Sequence, residues 1–472
     1  MDRPPRSESP HAGGGMVGGL QTVVLGKAAT EPWTAAEWVV PPEPGKLRFA
    51  DMDLPDPVVH AVADLDFKYC TPIQAMVLPH ALKGLNVAGR AQTGTGKTAA
   101  FLVSIFTQWM KNPRCMVPLA ASPRALVIAP TRELVLQILK DAGVLGKYCP
   151  FRGVAVFGGM DYQRQRLDVQ DGVLDLVVAT PGRLLDYLGQ KVLRLDMVET
   201  LIIDEADRML DMGFIPDVKR IIRHLPPRER RQTLLFSATL DESVMRLASE
   251  WMPDPVVLHA EPEKMTADSL EQVVWPVTSA EKFTVLYNLI RRSPEERILV
   301  FVNRRDEAES VGRALRRAGI SCDYLSGDLD QRVRLRVLES FRGATTKVVV
   351  ATDVAGRGLH IADIRYVVNY DLPYEADDYV HRIGRTGRAG AVGTAIAFAC
   401  EDESFILPEI EKSMGCALRY EQPDPTMFEP VPDRPVRVGV KPEPPAAEAP
   451  VTQDPGPEST PASDKPSEPS AG

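Results

Sequence analysis

Short apolar runs rich in β-branched residues alternate with amphipathic stretches through the middle of this chain. The first set reads "ALVIAP", "GVAVFGG", "DLVVATPG", "TLIIDEAD" and "TLLFSAT". After a Pro- and charge-rich patch near residues 253–268 come "RILVFVN", "KVVVATD", "RYVVNYD" and "GTAIAFA". Short apolar runs separated by helical periodicity predict parallel strands covered on both faces. Because the set occurs twice, the pattern predicts an α/β protein. It has two doubly wound parallel-sheet domains, residues 46–260 and 273–420, joined by a linker at 261–272 with a cleft between them. Nearly every run ends in Gly, Thr, Asp, Asn or Pro. Ligands of open α/β sheets bind at the carboxyl ends of strands, so the chemistry is expected at those run ends.

The two ends of the chain break the pattern. Residues 1–45 are rich in Gly, Pro and Ser, with Trp33 and Trp38 scattered among them; residues 421–472 hold 14 prolines and finish in low complexity. Such segments bury too little apolar surface to offset their ordering entropy, so both tails are expected to be disordered. The C-terminal one has 4 Lys/Arg against 10 Asp/Glu, which is −6 of the chain's −9. The acidic balance therefore says little about the folded part.

Apolar residues at 44% and charged residues at 25% are those of a soluble globular protein. Cys70, Cys115, Cys149, Cys322, Cys400 and Cys416 lie far apart, with no CxxC pair and no Cys/His cluster. That argues against a disulfide framework or a zinc site and for a reducing compartment. No apolar run approaches a membrane span and the N-terminus lacks the apolar core of a signal peptide, so a cytoplasmic location without a membrane partner is expected.

Chemistry enters at two run ends. Ala91, Gln92, Thr93, Gly94, Thr95, Gly96, Lys97 and Thr98 form "AQTGTGKT" between an apolar run and a helical stretch. Glycines let backbone N–H groups close around phosphate oxygens, Lys97 neutralises them, and the Thr98 hydroxyl reaches a magnesium ion. The strict phosphate-loop pattern has Gly where Ala91 stands. About a hundred residues on, "LIIDEADRML" crowds Asp204, Glu205 and Asp207 where an apolar strand runs out. Acids there can simply cap a helix. With the phosphate loop upstream, Asp204 and Glu205 read instead as carboxylates facing a nucleoside triphosphate and Mg²⁺, one on the metal's water shell and a second placed to orient or deprotonate the attacking water.

"AQTGTGKT", "DEAD", "SAT" (237–239) and "HRIGRTGR" (381–388), in this order, resemble the DEAD-box RNA helicases. Further matches are "CTPIQ" (70–74), "PTREL" (130–134), "GG" (158–159), "TPGR" (180–183) and "ATDVAGRGL" (351–359), so the resemblance covers roughly residues 47–420. It implies two RecA-like domains and an ATP-dependent RNA helicase with RNA-stimulated hydrolysis. Gln74 would read the adenine edge, for which an amide has paired donor and acceptor groups, and Phe67 would stack on the base. Lys97 would bind the β- and γ-phosphates, and Thr98 and Asp204 would hold Mg²⁺, partly through water. Glu205 would position the hydrolytic water. Asp207 and His381 would link that strand end to Ser237 and Thr239, coupling hydrolysis to domain movement. Arg385 and Arg388, from the second domain, resemble arginine fingers, which act only when the domains close.

The same resemblance implies RNA contacts at Thr131, Arg132, Gly159, Thr180 and Arg183 in the first domain, and at Arg304, Gln331, Arg334 and Thr352 in the second. Such residue types and backbone N–H groups bind sugar–phosphate without reading sequence. "YDLPYEADDYVHRIGRTGRAGAVG" is also similar to the bacterial RhlB-type helicases, which take part in RNA turnover. A monomer with ribonuclease or ribosome-associated partners is the matching expectation. His360, where most DEAD-box helicases have Asp, points the same way; the acidic tail departs from that type, which typically ends in a basic extension, as does Gly356, where alanine is usual. A DNA helicase of the same superfamily and a non-hydrolysing RNA clamp are the competing readings.

Overall fold

The computed structural model describes residues 22–25, 33–91, 94–114, 120–260, 270–353, 364–387 and 393–432. Among them, β1 (Thr22–Leu25), β2 (Val87–Arg90), β3 (Ala125–Ile128), β4 (Phe151–Val156), β5 (Leu176–Ala179), β6 (Thr200–Ile203), β7 (Gln232–Ser237) and β8 (Val256–His259) make the first sheet. Its order is β1-β4-β5-β3-β6-β7-β2-β8. A second sheet joins β9 (Leu270–Pro276), β10 (Ile298–Val302), β11 (Cys322–Leu325), β12 (Val348–Thr352), β13 (Tyr366–Asn369) and β14 (Gly393–Ala399) in the order β11-β12-β10-β13-β14-β9. All strand pairs are parallel except β1 with β4. The two doubly wound domains predicted from periodicity are there.

Parallel strands buried on both faces explain why these runs are continuously apolar. Along β3, Ala125 and Val127 enter one core while Leu126 and Ile128 enter the core on the opposite face. In β10, Ile298, Val300 and Val302 face one core, and Leu299 and Phe301 the other.

Strand order sorts the motifs into neighbouring groups. The phosphate loop, the D-E-A-D residues and S-A-T follow β2, β6 and β7, which are adjacent; PTREL, GG and TPGR follow β3, β4 and β5, also adjacent. In the second domain the ends of β12, β10 and β13 are tied by buried Arg382. Its guanidinium donates to Asp353 Oδ1 and Oδ2 (both 2.6 Å), Asn303 Oδ1 (2.8 Å) and Asn369 Oδ1 (3.2 Å).

Three boundaries need correction. Within the N-terminal tail, Thr22–Leu25 pairs antiparallel with β4, capping that edge of the sheet. Trp33 stacks on His60, which stacks on Tyr148, with centroids 4.3 and 3.8 Å apart. An edge strand and an aromatic anchor recover the ordering entropy that composition alone counted as lost. The second domain starts at Leu270, inside the expected linker. It also continues past 420: Glu421 N donates to Val274 O (3.0 Å), and Asn288 Nδ2 donates to Met427 O (2.9 Å) and Glu429 O (2.8 Å). Residues 1–21, 26–32, 261–269 and 433–472, where the remaining tail and linker expectations fall, lie outside the described residues. No helix among the described residues is long and apolar enough to cross a membrane.

Candidate active site

The phosphate loop leaves β2 at Ala91, whose N–H donates to Ser237 O at 2.9 Å, and turns into the helix Lys97–Lys111. Gly94 and Gly96 have φ of 88° and 90°, where a side chain is strained. Gly96 has a second reason: a Cβ there would lie 2.4 Å from Gln74 Nε2. Gln74 is buried, donating from Nε2 to Gly96 O (3.1 Å) and accepting from Thr71 N at Oε1 (2.9 Å), while Thr71 Oγ1 donates to Thr95 O (2.7 Å). The Gln74 amide thus braces the loop as well as capping its own helix, Pro72–Ala81. Phe67 is 37% exposed, an open ring on a cavity also lined by Gly94, Gly96, Lys97, Asp204 and Glu205.

Asp204 and Glu205 follow β6, both buried. Lys97 Nζ lies 3.6 Å from Asp204 Oδ1. Burial pushes the Asp204 carboxyl up against the pull of Lys97, and the Glu205 charge pushes it further. Glu205 holds a left-handed φ of 56°, unusual for a non-glycine residue, and accepts from Arg208 Nη1 at 2.8 Å. Strain of this kind persists where surrounding contacts over-determine it, typically at functional sites. Asp207 Oδ2 accepts from Ala238 N (2.8 Å) and Thr239 N (3.1 Å), and Ser237 Oγ accepts from Asp207 N (3.1 Å), so β6 and β7 are stitched beyond their ends.

The second domain reaches this group. His381, at the end of the helix Ala376–Ile383, lies close to Arg208 and Asp207 of the first domain. Burial holds its imidazole below the usual histidine range, and the Arg208 charge holds it lower still. Arg385 is buried beside it, donating from Nε to His381 O at 3.2 Å. Gln92, Thr93 and Arg388 lie outside the described residues.

The expected RNA-contact residues divide. Thr131 caps the helix Arg132–Leu145, its Oγ1 accepting from Leu134 N at 3.3 Å. The Arg132 guanidinium covers Gly159, where a Cβ would sit 2.2 Å from Nη1. Thr180 begins the next helix, and Arg183 lies over the Tyr162 ring at 5.1 Å. Burial lowers the Arg132 pKa; Glu133 opposes this, while Arg334 and Arg183 lower it further, so three guanidinium groups converge here. Thr352 is buried at the end of β12, Gln331 opens the helix Gln331–Arg342, and Arg304 is exposed, forked onto Asp306. Arg334 is buried between the domains, and its Nε donates to Glu133 Oε1 at 2.6 Å.

Sequence reasoning passed over Glu133, Arg208, Gln137 and Asp141. Glu133 stood inside the quoted "PTREL", and Arg208 lies one helical turn after Glu205, a spacing at which side chains meet. Gln137 and Asp141 follow at the same periodicity along one helix.

Comparison with known proteins gives consistent results. Residues 71–247 match the DEAD/DEAH box helicase family model, and residues 281–390 the helicase conserved C-terminal domain. The chain is 51% identical over 394 residues to the ATP-dependent RNA helicase RhlB of Pseudomonas aeruginosa, covering 84% of this chain and 99% of that protein. It is 46% identical over 390 residues to the RhlB of Xanthomonas campestris, covering 82% and 68%. S. cerevisiae Dbp5 bound to RNA and ADP BeF3 superposes with a TM-score of 0.69 at 30% identity, covering 79% of this chain and 95% of that one. The DEAD-box helicase Mss116 bound to ssRNA and UDP-BeF gives 0.70 at 27%, covering 80% of each.

Proposed function

The chain belongs to the DEAD/DEAH box helicases, with RhlB-type helicases among its relatives, and on that footing we propose that it is an ATP-dependent RNA helicase serving RNA metabolism. It binds single-stranded RNA without reading sequence and uses RNA-stimulated ATP hydrolysis to separate short duplexes or remodel RNA–protein complexes. The observation that carries this reading is that Lys97, Asp204 and Glu205 line one cavity of the first domain, while Arg208, which holds Glu205, also lies close to His381 of the second.

In this reading Phe67 stacks on adenine, and Gln74 exchanges its partners Gly96 O and Thr71 N–H for the base edge. Backbone N–H groups from Gly94 to Thr98, with Lys97, hold the phosphates. Glu205 orients the attacking water, held by Arg208, and Arg385 with Arg388 neutralises charge on the transferring phosphoryl group. Asp207, Ser237, Thr239 and His381 relay the state of the site to the interface. Arg132, Gly159, Thr180, Arg183 and Thr352 bind the RNA backbone.

Magnesium fits the residues present. Asp204 is a buried carboxylate raised by its surroundings, and Thr98 stands next to Lys97; a hard cation takes one or two carboxylates, keeps several waters and binds phosphate. Among the described residues no cluster of three or more acidic, His or Cys side chains forms a dedicated cage, as that mode of binding requires none. When bound, the ion supplies charge neutralisation at the phosphates. The chain works as a monomer in the cytoplasm, both walls of the cleft coming from one polypeptide, with ribonuclease or ribosome-associated proteins as further partners.

The decisive experiment compares ATP hydrolysis with single-stranded RNA, single-stranded DNA and no nucleic acid, alongside unwinding of a short RNA duplex. RNA alone should stimulate, and unwinding should need ATP; equal stimulation by DNA would favour a DNA helicase.

A further inference from the structure

One wall of the nucleotide cavity lies, apart from Leu134 at the end of PTREL, outside the sequence motifs used above. It is a face of the helix Arg132–Leu145, where Leu134, Gln137, Asp141, Val144 and Leu145 line the cavity at helical spacing. Val144 and Leu145 share the cavity's lining with Leu65 and Phe67, while Leu134 opens the face nearest its motif end. Gln137 and Asp141 stand between them, polar and half-buried. The helix face therefore offers a polar middle between apolar ends, in a cavity that also holds the phosphate loop and Phe67. A nucleoside triphosphate runs from phosphates through a hydroxylated sugar to a base, and the polar pair suits the sugar.

The two polar side chains stand one helical turn apart, and the Gln137 amide favours the ionised Asp141 carboxyl. Gln137 Oε1, closed off from solvent, has no partner. Burial pushes the Asp141 carboxyl up to about 6, with Lys140 and Gln137 opposing, which leaves it ionised at neutral pH. A partly desolvated carboxylate on a cavity wall calls for donors, and sugar hydroxyls supply them. An acidic side chain on ribose hydroxyls is a recurrent solution in nucleotide sites.

We propose that Asp141, supported by Gln137, binds the ribose hydroxyls of ATP and makes the protein select ribonucleotides over deoxyribonucleotides. The inference rests on the reading of this cavity as the ATP site. Asp141 also feels the charge of Arg342 from the second domain. A role confined to domain closure through that pair is the alternative to be separated.

The test measures RNA-stimulated hydrolysis and equilibrium binding of ATP, 2′-deoxy-ATP and 3′-deoxy-ATP by the full chain and by Asp141→Ala and Asp141→Asn. The wild type should prefer ATP over at least one deoxy analogue by about ten- to a hundredfold in kcat/KM, the scale of a hydrogen bond to a charged acceptor. Most of that preference should lie in KM. Asp141→Ala should slow ATP far more than that analogue, which has already lost one of the hydroxyls, so that the preference largely disappears; Asp141→Asn, which keeps the shape and one acceptor, should retain part of the preference. Equal use of all three nucleotides by the wild type overturns the proposal, a result that needs no variant to fold. So does an equal slowing of all three in Asp141→Ala, the outcome of a closure role against Arg342. A wild type that hydrolyses no ATP would refute the proposed function, and the binding series would still decide the sugar preference.

Discussion

Arg334 and Glu133 meet between the two domains, Nε to Oε1 at 2.6 Å, with side chains 10% and 5% exposed. The residues are 201 positions apart and come from the ends of the sheets where RNA-contact residues were expected. A pair this buried adds little net stability by itself, but removing one partner strands a desolvated charge. Its formation is therefore tied to the closed arrangement of the domains.

Glu133→Gln or Arg334→Ala should each cost the closed state about 3–5 kcal/mol. RNA-stimulated kcat/KM should then fall roughly a hundredfold or more, while ATP binding to the first domain changes little. Combining Glu133→Arg with Arg334→Glu should recover part of the loss. A double-mutant cycle on RNA-stimulated turnover measures the coupling, and purely additive losses would show that the pair does not serve closure.

Glu205→Gln keeps size and hydrogen bonding and removes the charge that orients water. Turnover should fall by roughly 10²–10⁴, the range for a positioned acid–base group, with ATP and RNA binding retained. Single-turnover hydrolysis with bound RNA checks this. Near-wild-type turnover would take Glu205 out of the chemistry, and its left-handed φ of 56° would need another explanation.

His381 should impose an acid limit. Its pKa is lowered in the folded protein, first by burial and then by Arg208. The folded state thus binds fewer protons than the unfolded one around the ordinary value near 6.5. The stability contribution is complete above that value and is lost as pH falls toward the lowered folded value. Thermal melts and RNA-stimulated ATPase followed between about pH 5 and 8 should both decline on the acid side. His381→Asn should flatten that limb, and an unchanged limb would assign it to another group.

Chain ends can be tested by two truncations. A protein ending at Pro432 should melt like the full chain. One ending at Tyr420 loses the carbonyls that Asn288 Nδ2 donates to, and the partly buried Met427 and Phe428. It should be destabilised by roughly 2 kcal/mol or more, from lost apolar burial and an amide left without acceptors. Equal melting of the two truncated chains would show that residues 421–432 add nothing to the second domain.

What the sequence by itself determined is the local part of this protein. Apolar runs such as Leu201–Ile203 mark strands buried on both faces, and the polar residues behind them mark where chemistry sits, because a parallel sheet presents its strand ends together. Gly94, Gly96, Lys97, Asp204 and Glu205 were legible for that reason: their spacing is set by the turns they occupy. Tertiary structure alone decided the rest. Thr22–Leu25 is a strand only because the edge of β4 offers it partners. Residues 421–432 are ordered because Val274 and Asn288 satisfy their backbone groups. Arg334 turns to Glu133 because domain closure buries both, and Asp141 joins the nucleotide cavity because its helix packs beside the phosphate loop. Each is a non-local partnership, and local composition and periodicity carry no record of which distant group completes a hydrogen bond, an ion pair or a wall.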